Sequence, residues 1–374
     1  MAGAGLAATP FLAGLAAYAA ADSHEPGVRA VRAYGARSAT GPIEALEITR
    51  RAVAPHDVRL DVMYSGICHS DIHTVRADFG APSYPIVPGH EIIGRVTEVG
   101  NAVTSLRVGD IAGVGCMVDS CGTCVNCLAD REQNCVNGTT FTYNAPDLVS
   151  GGYTFGGYSQ TLVVTEKFAI RIPPGVDLAG ATPLLCAGIT TFSPMQHWQL
   201  AARQKVGIIG VGGLGHVASK LAAARGADVT LFTTTPRKLG DAQRLGAREA
   251  VLSTDAAAMS GLNNQFDLLI STVPQAYPMQ PFMDLIKLDR TLVNVGALNN
   301  LADTQLSGMA MVMGRKSLAG SMIGGIAETQ QMIDYCAQRG ITADVELIRP
   351  DQINAAYQRI LDKDIRYRFV IDFT

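Results

Sequence analysis

The sequence predicts a two-part α/β protein, a β-rich unit joined to a doubly wound parallel sheet. Three observations carry that expectation. Residues 28 to about 180 hold short β-rich runs punctuated by Gly and Pro. From about 183 onward, strands alternate with helical segments, the order that builds a parallel sheet. One glycine turn, GVGGLG, stands between an apolar strand and an amphipathic helix.

Taken in order, the chain opens on MAGAGLAATPFLAGLAAYAAADSHEP, alanine-rich and apolar as far as Ala21. The apolar stretch and small-residue exit are like those of a signal peptide, but no Lys or Arg precedes Arg29, and Pro10 interrupts it. Residues 1–27 read as an appendage outside the fold, with a clipped export signal as the alternative. Residues 28–182 read as the β-rich unit, through VRAVRAYGA, DVRLDVMYSGIC, HEIIGRVTEVG, VGDIAGVG and YSQTLVVTE. Residues 183–326 read as the dinucleotide unit, with KVGIIG, DVTLF, FDLLISTV and RTLVNVGAL as strands. Residues 327–374 return as helix (AETQQMIDYCAQRG), strand (ADVELIR), helix (DQINAAYQRILDK) and strand (YRFVIDF).

Composition narrows the function. With 48% hydrophobic residues in 374, the chain can bury a core without disulfide staples. Thirty basic against 33 acidic residues, with no long basic run, argue against a nucleic-acid surface. The early apolar run is short for a membrane span.

Four of the eight cysteines, Cys121, Cys124, Cys127 and Cys135, sit in CGTCVNCLADREQNC. Three-residue steps between sulfurs suit a tetrahedral zinc with bonds of about 2.3 Å. They suit disulfide geometry poorly. A redox-active CxxC is the other reading, but it needs neither the third nor the fourth cysteine. An all-cysteine site has no open position, so it pins a loop and does not react.

In the glycine turn, Gly210 allows the tight bend, Gly212 lets a pyrophosphate approach, and Gly215 lets the helix lie close to the strand. Gly213 and Leu214 complete the turn. A site for NAD usually carries an acid at the end of the second strand. Here that strand ends in Thr233, Thr234 and Thr235, followed by Arg237 and Lys238. Hydroxyls and cations bond a 2′-phosphate, whereas a carboxylate repels it. The expected cofactor is therefore NADP(H).

A second donor set is scattered. SGICHSDIH supplies Cys68, VPGHE supplies His90 and Glu91, and PLLCAGIT supplies Cys186. Two sulfurs and an imidazole make the Cys₂His set of a catalytic zinc with one open position.

GICHSDIH, VPGHEIIG, GVGCMVDSCGTCVNC, GGYSQ, PLLCAGITT, GVGGLGH and GSMIGG together resemble the zinc-dependent medium-chain alcohol dehydrogenases. Within that family the chain looks most like the cinnamyl-alcohol-dehydrogenase-like branch of NADPH-dependent aldehyde reductases. The resemblance runs from about residue 28 to the end. It implies a GroES-like catalytic domain, a Rossmann domain and a cleft between them. It implies Cys68, His90 and Cys186 as catalytic zinc ligands, with Glu91 at the metal and Asp71 orienting His90. Cys121, Cys124, Cys127 and Cys135 match the structural zinc lobe, giving two Zn²⁺ per subunit.

The resemblance implies reversible reduction of aldehydes to primary alcohols, with zinc as Lewis acid and hydride from NADPH. It makes Ser70 the relay hydroxyl and His73 the group that reaches solvent. His69 falls in a slot near the cofactor pyrophosphate. Further cofactor contacts implied are Thr190, Leu214, Thr272, Val273, Val295, Gly296, Ala297 and Arg366. Ser321 and Ile323 fall in GSMIGG, in relatives an edge strand that pairs across a dimer two-fold. The expected partners are a small aldehyde or alcohol and a second copy of the chain, in the cytoplasm. Phe79, Tyr143 and the lone Trp198 are aromatic candidates for the substrate side, with Trp198 reading equally as a core residue. Cys116 and Cys336 read as buried thiols, and His216 as a capping or packing residue. Rival readings are a polyol or secondary-alcohol dehydrogenase, and a non-catalytic zinc or redox-sensing protein on the same fold.

Overall fold

The computed structural model describes residues 27–297, 301 and 304–374. The stretch expected to be an appendage or export signal lies, apart from its last residue, outside the described residues.

A hairpin of β1 (Arg29–Gly35) and β2 (Glu44–Arg50) begins the β-rich unit. Val31 and Ala33 on one strand and Leu46 and Ile48 on the other alternate inward, the two-residue period of a half-buried sheet. Next come β3 (Asp57–Ile67), the short helix α1 (His69–Val75), β4 (Ile92–Val99), β5 (Ile111–Val114) and β6 (Met117–Asp119). After the cysteine lobe follow β7 (Thr140–Phe141), β8 (Thr161–Thr165) and β9 (Ile170–Arg171). Helices α2 (Leu178–Ala181) and α3 (Ala187–His197) lead into the second unit.

That unit runs β10 (Lys205–Ile209), α4 (Gly215–Ala224), β11 (Asp228–Thr233), β12 (Glu249–Leu252), α5 (Ala256–Ser260), β13 (Phe266–Ser271), α6 (Gln280–Met283), β14 (Ile286–Asn294), α7 (Gly308–Gly314) and β15 (Ser317–Gly320). The tail comprises α8 (Ile326–Arg339), β16 (Val345–Ile348), α9 (Ile353–Leu361) and β17 (Arg368–Asp372).

Six parallel strands stand in the order β12-β11-β10-β13-β14-β15. The order reverses direction at β10 and β13, which opens a crevice at the carboxyl ends of the strands. Both faces of this sheet are covered, as parallel strands require. Val206 and Ile208 pack into one apolar cluster with Val217, Leu221 and Met332, and Ile209 packs into another with Phe232, Leu269 and Phe282. Truncating such a buried aromatic as Phe232 costs about 3–5 kcal/mol.

The other sheet has seven strands, ordered β16-β17-β3-β4-β5-β9 with β8 also on β3. The chain therefore leaves the Rossmann sheet after Gly320 and re-enters the first unit at Val345. Between them α8 buries Thr329, Met332, Ile333 and Cys336, one stripe at helical spacing. The expected strand at GSMIGG is corrected: β15 ends at Gly320, and Ser321 and Ile323 lie beyond it. Ile323 takes φ of 37°, outside the strand region. No single helix among the described residues is long and apolar enough to cross a membrane.

Candidate active site at the domain junction

Helix α1 starts the metal site. Cys68 is its N-cap, and Asp71 at the third helical position accepts the Cys68 backbone N–H at 2.8 Å. Asp71 is fully buried and also accepts the Gly89 N–H at 3.1 Å. The Nδ1–H of His90 donates to the same carboxylate at 3.0 Å. That bond fixes the tautomer and turns Nε2 toward the sulfurs. One aspartate thus both caps the helix and orients the ring.

The ligand atoms of Cys68, His90, Glu91 and Cys186 all lie within 4.8 Å of one another, and all four residues are buried. A hydrogen bond from Cys186 holds the Cys68 thiol well below its ordinary range, against the effect of burial. Burial alone would push the His90 imidazole down, but the charge of Asp71 raises it well above the usual value. Burial pushes Glu91 up to about 7 while Arg368 opposes it. Glu91 pairs with Arg368 through one oxygen, and its Oε2 is buried without a partner. Two soft sulfur donors, an imidazole and an orphaned carboxylate oxygen fit zinc.

The cysteine lobe has different geometry. The Sγ atoms of Cys121 and Cys127 stand 3.9 Å apart, and those of Cys124 and Cys135 stand 4.0 Å apart. A disulfide is about 2.05 Å long, whereas a tetrahedron of 2.3 Å zinc–sulfur bonds has edges of about 3.8 Å. Backbone N–H groups of Thr123 and Cys124 pull the Cys121 thiol down to about 5, toward the thiolate that a metal needs.

Ser70 lies with Oγ 3.7 Å from Cys68 Sγ. His73, one turn on, is half-buried, bonded through Nδ1 to Asp78 at 2.8 Å and set against Phe79 with ring centroids 5.2 Å apart. His69 is exposed, its ring 5.9 Å from that of His73. Tyr143 stands 5.8 Å from the His90 ring. Trp198 does not join them: it caps the far end of α3 and packs on the Rossmann core.

The glycine turn lies where the sheet order reverses. Gly210 has φ of 91°, and a Cβ at Gly215 would sit 1.8 Å from the Gly210 carbonyl oxygen. A Cβ at Gly212 would meet nothing within 4 Å, leaving the open ground a pyrophosphate needs. Thr272 donates its hydroxyl to the carbonyl oxygens of Ile209 and Gly210, at 3.0 and 3.1 Å. Thr272 and Val273 follow β13, and Val295, Gly296 and Ala297 follow β14, at the same sheet end. Leu214 is the N-cap of α4, and Thr190 lies buried one turn after Cys186. Ser321, next to β15, donates its N–H to the Asn294 carbonyl at 3.1 Å.

At the end of β11, Thr233 turns its hydroxyl to the Thr235 N–H at 3.1 Å, while Thr234 is exposed. Arg237, Lys238 and Arg366 line a cavity of about 310 Å³ together with Arg359, Glu346 and Asp364. Lys238 donates to the Val211 carbonyl at 2.7 Å, and Arg366 to the Arg237 carbonyl at 2.8 Å.

Sequence reasoning missed Arg368. It is buried on β17, and a Cβ at Gly213 would lie 2.8 Å from its Cδ. This one side chain touches both Glu91 and the glycine turn. Nothing in RYRFVIDF separates it from a surface arginine. Of the remaining thiols, Cys336 is buried beside Met332, but Cys116 is only half-buried, with Sγ 4.0 Å from the Leu185 carbonyl oxygen. His216 packs as expected: Nδ1 bonds the Gly212 carbonyl and Nε2 accepts the Asp344 N–H, both at 3.1 Å, and burial pushes its pKa down to about 3.

Comparison with known proteins agrees with this geometry. The alcohol dehydrogenase GroES-like domain family matches residues 54–174, and the zinc-binding dehydrogenase family matches residues 213–338. The chain is 50% identical to NADP-dependent alcohol dehydrogenase C 1 of Mycolicibacterium smegmatis over 343 residues, 91% of this chain and 97% of that protein. It is 48% identical to the aldehyde reductase YahK of Escherichia coli, over 91% of this chain and 98% of that one. The crystal structure of CAD from Helicobacter pylori complexed with NADP(H) superposes with a TM-score of 0.86 at 35% identity, covering 92% of this chain and 98% of that one. The chain belongs to the zinc-dependent medium-chain dehydrogenase/reductase family, beside its NADP-dependent alcohol dehydrogenases and aldehyde reductases.

Proposed function

We propose that this NADP(H)-dependent zinc oxidoreductase of aldehydes and alcohols reduces a broad range of aldehydes to primary alcohols, reversibly. The observation that carries the reading is the gathering of Cys68, His90 and Cys186 beside Ser70, with Arg368 joining that cluster to the glycine turn. When bound, zinc supplies Lewis acidity at the carbonyl oxygen and the nicotinamide supplies hydride.

The chain's own residues do the rest. Cys68, His90 and Cys186 would hold the metal, Asp71 fixes the ring of His90, and Arg368 tethers Glu91 beside them. Cys121, Cys124, Cys127 and Cys135 hold the second zinc and tie their loop. Ser70 Oγ would pass a proton to the forming alcohol and take one up from the solvent side, where His73 stands one turn along the same helix. Tyr143 and Phe79 supply apolar walls, and such walls discriminate weakly between aldehydes that differ by one methylene. Gly210, Gly212, Gly213, Leu214 and Gly215 cradle the pyrophosphate near His69. Thr190, Thr272, Val273, Val295, Gly296, Ala297, Ser321 and Ile323 line the rest of the cofactor path. Thr233, Thr234, Thr235, Arg237, Lys238 and Arg366 receive the 2′-phosphate; a modest turn of Lys238 away from the Val211 carbonyl frees its ammonium.

The working unit in this reading is a homodimer. Strand β15 is one of the two edges of the Rossmann sheet, and beside it α7 buries none of its residues while exposing Met309, Val312 and Met313. An apolar open edge of this kind invites pairing. Reduced thiols and a soluble nicotinamide cofactor support a cytoplasmic setting.

The test follows NADPH consumption over a panel of aromatic and aliphatic aldehydes, with a polyol in the reverse direction. Turnover of several aldehydes supports the reading, and a preference for the polyol turns it toward the polyol dehydrogenases. Ser70→Ala should cut turnover about 10²–10⁴-fold with zinc content unchanged. Full turnover in that variant, with hydride transfer limiting the rate, would remove Ser70 from the proton path.

A further inference from the structure

The first unit buries a cation whose hydrogen-bond partners are all neutral. Arg50, the last residue of β2, is 8% exposed. Its Nε donates to the Thr161 carbonyl at 2.9 Å and its Nη1 to the Phe155 carbonyl at 2.7 Å. Its Nη2 donates to the Gly156 carbonyl and to Ser159 Oγ, both at 2.8 Å. Every bond goes to one short segment, residues 155–161. Ser159 adds its own bonds to the Gly156 and Thr161 carbonyls, at 3.0 and 3.1 Å.

Holding a guanidinium there is unfavourable. Burial pushes its pKa down to about 9, and the charge of Asp147 offsets only part of that. A buried charge costs several kcal/mol unless its donors are satisfied. A methionine of similar length would fill the space without that cost, but it would take a donor away from each of four acceptors in the segment and leave the Phe155 carbonyl to find another.

The segment so held is the one that grips the histidine ligand's turn. Gly156 N–H donates to the Val87 carbonyl at 2.8 Å, Gly157 N–H to Gly89 at 2.9 Å, and Tyr158 N–H to Pro88 at 3.0 Å. Val87, Pro88 and Gly89 lead directly into His90. The approach is close: a Cβ on Gly156 would sit 2.4 Å from the carbonyl oxygens of Pro88 and Gly89. The fully buried Tyr158 also turns its hydroxyl to Asp71 Oδ2 at 3.4 Å, on the carboxylate that orients His90. An unbroken set of contacts runs from Arg50 through this segment to both supports of His90, its backbone turn and its carboxylate.

We propose that Arg50 is a positioning residue for the catalytic metal centre, holding the 155–161 segment so that the Val87–Gly89 turn and Asp71 aim His90. The inference rests on the assignment of that centre above. Arg50 touches neither metal nor substrate. Its effect is on how firmly the ligand set is preformed.

The test compares the full chain with Arg50→Met, Arg50→Lys and Ser159→Ala, each purified with zinc. Zinc per chain and its release to an excess of chelator are measured alongside kcat and KM. The full chain should release zinc in two phases, one from each cluster. In Arg50→Met the catalytic phase should quicken about 10-fold or more, as when a metal ligand's support is lost. The phase from the cysteine lobe should not move, kcat should fall, and KM for NADPH should hold. Arg50→Lys should recover part of the difference, and Ser159→Ala should show a smaller change of the same kind. Wild-type release of both metals in Arg50→Met overturns the proposal, as does equal quickening of both phases, which marks general loosening. If Arg50→Met does not fold, an unchanged catalytic phase in Ser159→Ala overturns it. A single zinc in the unaltered chain strikes the metal centre itself, and the proposal with it. Two zincs with unchanged release in the variants strike only the role of Arg50.

Discussion

The two cysteine clusters of this molecule offer a controlled contrast. In the lobe, four sulfurs come from fifteen consecutive residues, three of them half-buried and only Cys127 buried, and short 3₁₀ turns bring them together. In the catalytic cluster, Cys68 comes from the start of α1, His90 from the turn before β4, and Cys186 from the start of α3. The lobe closes on itself. The catalytic cluster closes only when α1, the turn before β4 and the start of α3 have come together, and buried polar contacts then hold His90 and Glu91 in place. A local site therefore owes its shape to its ion, whereas an assembled site brings its shape to the ion. The two should respond differently to the same chemical injury.

The largest expected difference is in activity. Cys68→Ser should lose the catalytic zinc and lower turnover about 10³-fold or more, the rate equivalent of several kcal/mol of charge stabilisation. It should keep the zinc of the lobe and nearly all of its thermal stability. Cys124→Ser should do the reverse, lowering the melting temperature by several degrees while folded molecules keep their turnover. Metal analysis, melting curves and turnover on both variants check the contrast. Equal loss of both metals in either variant would erase it.

A smaller effect should come from Asp71→Asn. The amide offers fewer acceptors to the Cys68 and Gly89 N–H groups and to the His90 ring, so zinc affinity at the catalytic cluster should fall about 10–100-fold. Chelator titration should show the lobe unchanged.

The smallest effect concerns a contact by which the lobe reaches the start of α8. Glu132, buried between Cys127 and Cys135, accepts the Ile326 N–H at the start of α8 at 3.1 Å and pairs with Lys167 at 3.2 Å. Glu132→Gln should cost about 1–3 kcal/mol in denaturant unfolding with zinc count and turnover intact. A change in zinc count there would mean that the lobe depends on its docking more than its spacing implies.

The same contrast explains what was legible in the sequence. The lobe declares itself by spacing, because its geometry is local. The strand–glycine turn–helix unit is legible for the same reason, and so are the stripes of α8 and α9, where Ile353, Ala356, Tyr357 and Ile360 repeat at helical spacing. Cys68, His90 and Cys186 are visible only as residue types, since no spacing rule links them; their donor chemistry grouped them as a Cys₂His set, and the family resemblance named them ligands. Arg50 and Arg368 stayed hidden. Each stands in a strand where an arginine reads as solvent-facing, and only the packed fold shows it buried against carbonyls or a carboxylate. Lys238 and Ser321 show the converse limit: their residue types fit a cofactor, yet the first is bonded to the Val211 carbonyl and the second stands past the end of its expected strand.

The central claim is that three residues far apart in the chain build a second zinc site beside the glycine turn. Elemental analysis of the fully loaded, folded protein tests it most directly. The account predicts two zinc atoms per chain, falling to one in Cys68→Ser with the lobe still filled. One zinc atom per chain in the unaltered protein would contradict it.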